Sequence, residues 1–299
     1  MLSIGGIIRT NREERKISQE ELSFGICSTS NLSRIENGEQ IPSRATYEAL
    51  MQRMGLSSEI YPSFQNDREL TAFELWYEIN ECMDLGQYSK AEILLEKLLD
   101  EPKLDKVYQQ RILFAQTIIL RKNGGGAEEA LGSMKKVVSM SIKEFDYKKI
   151  PHYLLTKSEL NILKSLATLY YQVDDETMGI NILYGLKDYI EKRVVDHDGI
   201  TPTYTAIIRD LSKWVGILGR HDEVVELCDI AIKRSIRYGR LYNLPMLLYN
   251  KGYALAMLGR SEEARNRLCE AYYIFRATNQ SEMCDAIKGF LEEQGVNVE

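Results

Sequence analysis

The chain is poor in the residues that build catalytic and metal sites. Its three histidines, His152, His197 and His221, have no neighbour at metal-ligand spacing. Its five cysteines (27, 82, 228, 269 and 284) are odd in number and scattered, with no CxxC pair. That excludes a disulfide framework or zinc ribbon and reads as small buried thiols in a reducing cytosol. Proline is scarce, at six, and alternating β-branched runs are nearly absent, so sheets are not expected. No apolar run is long enough to span a bilayer. The stretch MLSIGGIIRTNREER lacks a basic lead-in followed by an apolar core and does not read as a secretory signal, so the expected location is cytoplasmic. Gly124-Gly125-Gly126 lacks the Lys-Ser/Thr of a phosphate loop and follows no strand. Asp174-Asp175-Glu176 reads as a solvated acidic turn and Asp196-His197-Asp198-Gly199 as a loop. No catalytic constellation emerges. The chain is expected to be no enzyme and to hold no cofactor or metal.

What is present is helix. The 299 residues are 44% hydrophobic and 27% charged, enough for two domains or one long repeat array. A net charge of −6 argues against a chain that coats nucleic acid unspecifically, but not against a small basic reading head. Residues 1–66 hold seven Lys and Arg against eight Asp and Glu, with Arg9, Arg12, Arg15 and Lys16 grouped. So weak an electrostatic term calls for two copies, hence a homodimer on two-fold double-stranded DNA.

The first 66 residues read as a compact helical domain. A first helix spans 4–15. Ser18-Gln19-Glu20-Glu21 is a capping box that opens a second, and Gly25 breaks it. Ser28 caps a third, about 29–37, stopped by Gly38; a fourth spans 44–54, and a short fifth follows Ser57. Beyond residue 67 the chain repeats. LGRHDEVVELCDIAI (218–232) and LGRSEEARNRLCEAY (258–272) match at a separation of 40, and LGQYSKAEILLEKLL (85–99) has the same form. Each follows another helix (72–84, 203–217, 244–257), with Gly86, Gly219 and Gly259 for the turn. Ala91, Ala264 and Val224 or Val225 stand where two helices approach closely. Segments 106–141 and 158–192 supply two weaker units without the small-residue signatures, and 279–294 a closing helix. The expected fold is all-α: a helix-turn-helix head, then a right-handed solenoid of five tetratricopeptide-like helix pairs plus a cap.

The third helix carries the functional signal. In a helix-turn-helix its N-terminal residues meet base edges in the major groove, and short polar side chains let the backbone come close. Ser28, Thr29, Ser30, Asn31, Ser33, Arg34 and Asn37 are such a set, with Leu32 and Ile35 facing the core. Asn pairs bidentately with adenine, and Arg with guanine or phosphate. Gln19, first in its helix, is placed to hold a phosphate. Glu36 follows Ile35 and is expected to turn inward onto Arg12 as a structural ion pair.

SQEELSFGICSTSNLSRIENG resembles the phage-repressor (Xre-type) helix-turn-helix over residues 4–57. Joined to five tetratricopeptide-like units, the chain resembles the peptide-pheromone regulators of Gram-positive bacteria, the family of Rgg, Rap, NprR, PlcR and PrgX, nearest the PlcR and PrgX side in its ICxxSxxSRIExG core. The resemblance implies transcription regulation in quorum sensing, with a short peptide held on the concave face, partly by Asn residues. The first helix of each pair lines that face and carries Tyr77 and Asn80; Gln116; Asn161 and Lys164; Arg209 and Lys213; and Tyr249, Asn250 and Tyr253. An Asn amide both donates and accepts, so it suits a peptide unit, and an Arg fork suits a carboxylate. On this reading residues 67–299 bind peptide and dimerise. A different reading stays open: an adaptor whose solenoid sequesters a partner protein, with the head as a minor anchor.

Overall fold

The computed structural model describes residues 3–57, 66–101, 104–193 and 197–293. Among these residues every regular element is a helix. The head comprises α1 (Ile4–Glu14), α2 (Gln19–Ser23), α3 (Thr29–Glu36) and α4 (Arg44–Arg53). A serine caps each start: Ser3, Ser18, Ser28 and Ser43 each accept from a backbone amide three residues on. Ser18 and Glu21 close a reciprocal box, at 3.1 and 2.8 Å. The short helix expected after Ser57 lies outside the described residues.

Five helix pairs follow: α5 (Asp67–Asp84) with α6 (Tyr88–Leu99), α7 (Lys106–Lys122) with α8 (Ala127–Ser139), α9 (Lys157–Gln172) with α10 (Glu176–Lys192), α11 (His197–Ile217) with α12 (His221–Arg237), and α13 (Leu244–Met257) with α14 (Ser261–Ala277). A closing helix, α15, spans Ser281–Glu293. Gly86, Gly219 and Gly259 make the tight turns at φ of 71°, 76° and 74°, the left-handed region that glycine enters without cost. In the third pair Asp174 takes that conformation instead, at φ 61°, while Asp175 caps α10. Ala91, Val224 and Ala264 are buried where paired helices meet.

Three features depart from the sequence reading. α5 starts at Asp67 rather than 72, because Asn66 caps it. A 3-10 turn, Tyr147–His152, joins α8 to α9. The loop assigned to Asp196-His197-Asp198-Gly199 is corrected: α11 already begins at His197, and Arg240 grips the Asp198 carboxylate through two bonds of 2.8 and 2.9 Å (Asp196 lies outside the described residues).

The chain packs as two compact units: Met1–Ile182 with Arg193–Asp196, and Leu183–Lys192 with His197–Glu299. In the first unit one apolar core runs from Ile8, Leu22, Leu32, Ile35 and Leu50 of the head into Ile79, Leu98, Ile112 and Ile119 of the repeats. Two glycines allow backbones to touch. A Cβ on Gly5 would lie 1.8 Å from the Ile35 carbonyl oxygen, so α1 rests directly on α3. Gly25, at φ 74°, turns the chain against Ser141, whose Cα a Cβ would approach to 2.6 Å.

Polar groups fasten the same seam. Asp105 caps α7 through Tyr108 N at 3.0 Å and accepts Ser43 Oγ and Thr46 Oγ1 at 2.6 and 3.2 Å. Arg53, at the end of α4, donates to the carbonyls of Leu22 and Phe24 and to Glu159 Oε1 at 2.5 Å. Glu159 in turn closes a capping box at the start of α9, accepting from Thr156 N at 2.7 Å. The Arg53 and Glu159 side chains are only 3% and 4% exposed. Removing one partner of such a pair strands the other charge without water. Glu159→Ala in the full chain is therefore expected to lower unfolding free energy by about 3–5 kcal/mol in urea titration. A loss below about 1 kcal/mol would place the pair in the class of weak surface bridges.

Candidate functional site

The head presents a helix with two characters. The back of α3 is Leu32 and Ile35, fully buried, and Glu36, buried beside them. Its front, Ser28, Thr29, Ser30, Arg34 and Asn37, is exposed, with Asn31 and Ser33 half-buried. The Arg34 side chain is 61% exposed, with Glu39 at 4.0 Å. Ser28 Oγ accepts from Asn31 N and lies 3.1 Å from Ser30 Oγ, while Thr29 Oγ1 lies 3.4 Å from Ser23 Oγ. Asn31 Oδ1 is covered and accepts no hydrogen bond among the described residues.

Behind α3, Glu36 takes Arg12 Nε at 2.6 Å and Nη2 at 2.9 Å, and Arg12 Nη1 reaches the Ile17 carbonyl at 3.0 Å. This ties α1, the α1–α2 turn and α3 into one body. Gln19, expected to hold a phosphate, is half-buried at the same network. Its Nε2 donates to Glu36 Oε2 at 2.7 Å, so the amide faces inward as a third member of the network.

The residues expected to hold a peptide fall into the two units. In the first, Asn80 on α5, Gln116 on α7 and Asn161 on α9 are exposed, and Lys164 is half-buried. Asn80 Nδ2 donates within its own helix to the Trp76 carbonyl at 2.7 Å. In the second unit Lys213, Tyr249, Asn250 and Tyr253 line one cleft of about 390 Å³ between α11, α12 and α13. Two expectations need correction. Arg209 is held by Asp210 at 2.7 Å and by Asn243 Oδ1 at 3.1 Å, so its fork is committed away from a ligand. Asn250 is buried, and its Nδ2 donates to the Arg209 carbonyl at 3.0 Å and Ser212 Oγ at 2.8 Å. It fastens α13 to α11 rather than offering those donors to a peptide.

The cleft also holds residues that pattern reading passed over: Gly216, Ile217, His221 and Met257. A signal for two of them was present. The 40-residue offset that aligns Leu218 with Leu258 also aligns Lys213 with Tyr253 and Ile217 with Met257, and the cleft uses both members of each pair.

A helix-turn-helix family model matches residues 8–60. Over nearly its whole length the chain has the fold of two regulators of known structure. PlcR of Bacillus thuringiensis, solved in complex with the peptide PapR7 and DNA, is 17% identical, with 96% of this chain and 99% of that one covered and a TM-score of 0.62. ComR of S. thermophilus, in complex with DNA and its signalling peptide ComS, is 15% identical over 98% of this chain and 100% of that one, at a TM-score of 0.53. The apo form of ComR from Streptococcus vestibularis is 15% identical over 99% of each chain, at 0.56. No curated protein sequence matches the chain. It thus carries a helix-turn-helix domain on the fold shared by PlcR and ComR.

The head network has a pH signature. Burial alone raises the Glu36 carboxyl, but hydrogen bonds from Arg12 and Gln19 and the charges of Arg12 and Arg9 outweigh it and hold it below its ordinary range. A depressed folded-state pKa gives stability that is complete above the unfolded value and lost as pH falls through the folded one. Glu36→Gln is expected to be less stable than wild type at neutral pH and to converge with it as the medium is acidified. Parallel pH–stability curves in thermal melts of the two proteins would contradict this.

Proposed function

We propose that the chain is a cytoplasmic, homodimeric, sequence-specific DNA-binding transcription regulator controlled by a short intracellular signalling peptide, as in quorum sensing. Residues 1–66 take double-stranded DNA at a two-fold operator. Residues 67–299 take the peptide and the partner copy. The observation that carries the reading is the two-faced α3: a fully buried apolar back under a front of exposed hydroxyls and Arg34, with Asn31 half-buried among them. Such a helix brings its backbone close to base edges. An orphaned acceptor costs about 1–3 kcal/mol, so Asn31 gains by turning its amide outward to a base. That PlcR and ComR are solved with both DNA and a signalling peptide supports the two-ligand reading. So does the grouping of Lys213, Tyr249 and Tyr253 in one cleft.

The test starts from duplexes recovered by the full chain from a random pool. Asn31→Ala and Arg34→Ala are each expected to weaken binding to those duplexes by about 1–3 kcal/mol per half-site at fixed salt, with the thermal melt unchanged. Wild-type affinity in both variants, or a pool that yields no preferred sequence, would end the assignment of α3 as the reading helix.

A further inference from the structure

The cleft of the second unit is more than a polar groove for backbone. Its floor is Val224 and Ala254, each 1% exposed, with Gly216 beside them. Tyr249 and Tyr253 form a wall, and the Tyr253 ring is braced by Phe290 at 5.4 Å between centroids. Two large apolar side chains stand uncovered at the mouth: Ile217 at 63% and Met257 at 45% exposure. Exposed apolar groups beside an apolar floor gain from a ligand that removes them from water. The polar groups at the back are largely spent, because the Asn250 amide is bonded to α11. Two polar elements stand apart. Lys213 is the single formally charged side chain in the lining, and it is exposed. His221 Nδ1 is buried and has no hydrogen-bond partner among the described residues. A buried ring nitrogen without a partner is uncommon, and a water or a ligand group can supply one.

We infer that this cleft is the specificity anchor of the peptide: it takes a bulky apolar side chain lying next to a carboxylate. The apolar group fills the space over Val224 and Ala254, and Lys213 faces the carboxylate. His221 Nδ1 meets a polar group of the peptide backbone. The inference rests on the peptide reading above and adds the chemistry that selects among peptides. The carboxylate has two sources, a free C-terminus or an Asp or Glu side chain.

The experiment incubates the full chain with synthetic random heptapeptides in two arms, C-terminal acids and C-terminal amides, and sequences the retained peptides by mass spectrometry. Enrichment of Phe, Leu, Ile, Met or Trp next to the terminus in the acid arm alone identifies the C-terminus. Enrichment of the same residues beside Asp or Glu in both arms identifies the side chain. Gly216→Leu supplies the control. A Cβ at 216 meets only Val224 Cγ2, at an ordinary 3.5 Å, so the helix tolerates the change and the side chain fills the cleft. Its affinity for a recovered peptide is expected to fall by about tenfold or more, with the melting profile retained. Lys213→Met is expected to lose the preference for a carboxylate while keeping the apolar one. Peptides recovered without an apolar preference, or bound equally by Gly216→Leu, overturn the anchor and leave the peptide reading standing. Recovery of no peptide in either arm overturns both.

Discussion

A guanidinium and a carboxylate buried together set the geometry of the N-terminal unit. Taking both charges out of water costs several kcal/mol each, and their attraction repays this only when every remaining donor and acceptor is used. Here most are. Arg53 also bonds the carbonyls of Leu22 and Phe24, at the turn that leads into α3. Glu159 spends its other oxygen on the first turn of α9. The pair therefore joins three things: the turn before α3, the end of α4, and the start of a repeat helix. Asp105, bonded to Ser43 and Thr46, does the same between α4 and α7. An apolar core continuous from Ile8 to Ile119 lies under both fastenings.

This construction bears on the regulation proposed above. A head on a flexible tether would not sense what its repeats hold. In the proposed regulator, a head that shares a core with α7 and a buried ion pair with α9 would follow them when they shift. Asn161 and Lys164, candidate ligand residues, lie on α9 within two turns of Glu159. In the proposed regulator, a ligand that shifts α9 acts on the turn before α3 through Glu159 and Arg53, with no further relay. Coupling of this kind requires only that the ligand favour one of two arrangements of the packed elements. On that proposal the balanced charge of residues 1–66 is no obstacle, because the ligand would act on the placement of α3 rather than on its charge.

The sequence made the helices legible, because their signals are local. Ser18 with Glu21, Ser28 before Thr29, and Gly86, Gly219 and Gly259 each act within a few residues of chain, and each marks a real start or turn. The 40-residue repeat placed the last two pairs. Partners across space were not legible. Arg53 and Glu159 are 106 residues apart, and either one alone reads as a solvated charge. Asn250 misled for a related reason. An Asn on the first helix of a repeat looks like a ligand group, but whether its amide faces solvent or the neighbouring helix is decided by Ser212 and the Arg209 carbonyl, about 40 residues away. The bond from Gln19 to Glu36 is likewise a contact across space. α11 was read too short because Pro202 and Gly199 resemble a linker, while the Asp198–Arg240 pair that holds its first turn is a long-range contact.

The central claim is that head and first repeats are one cooperative body, and native-state amide hydrogen exchange of the full chain tests it most directly. If the claim holds, the amides of Leu32 and Leu50 in the head and of Ala115 and Ile119 in α7 open together, with opening free energies equal to within about 1 kcal/mol. Head amides that exchange through an opening several kcal/mol easier than those of α7 would show an independent domain and contradict the account.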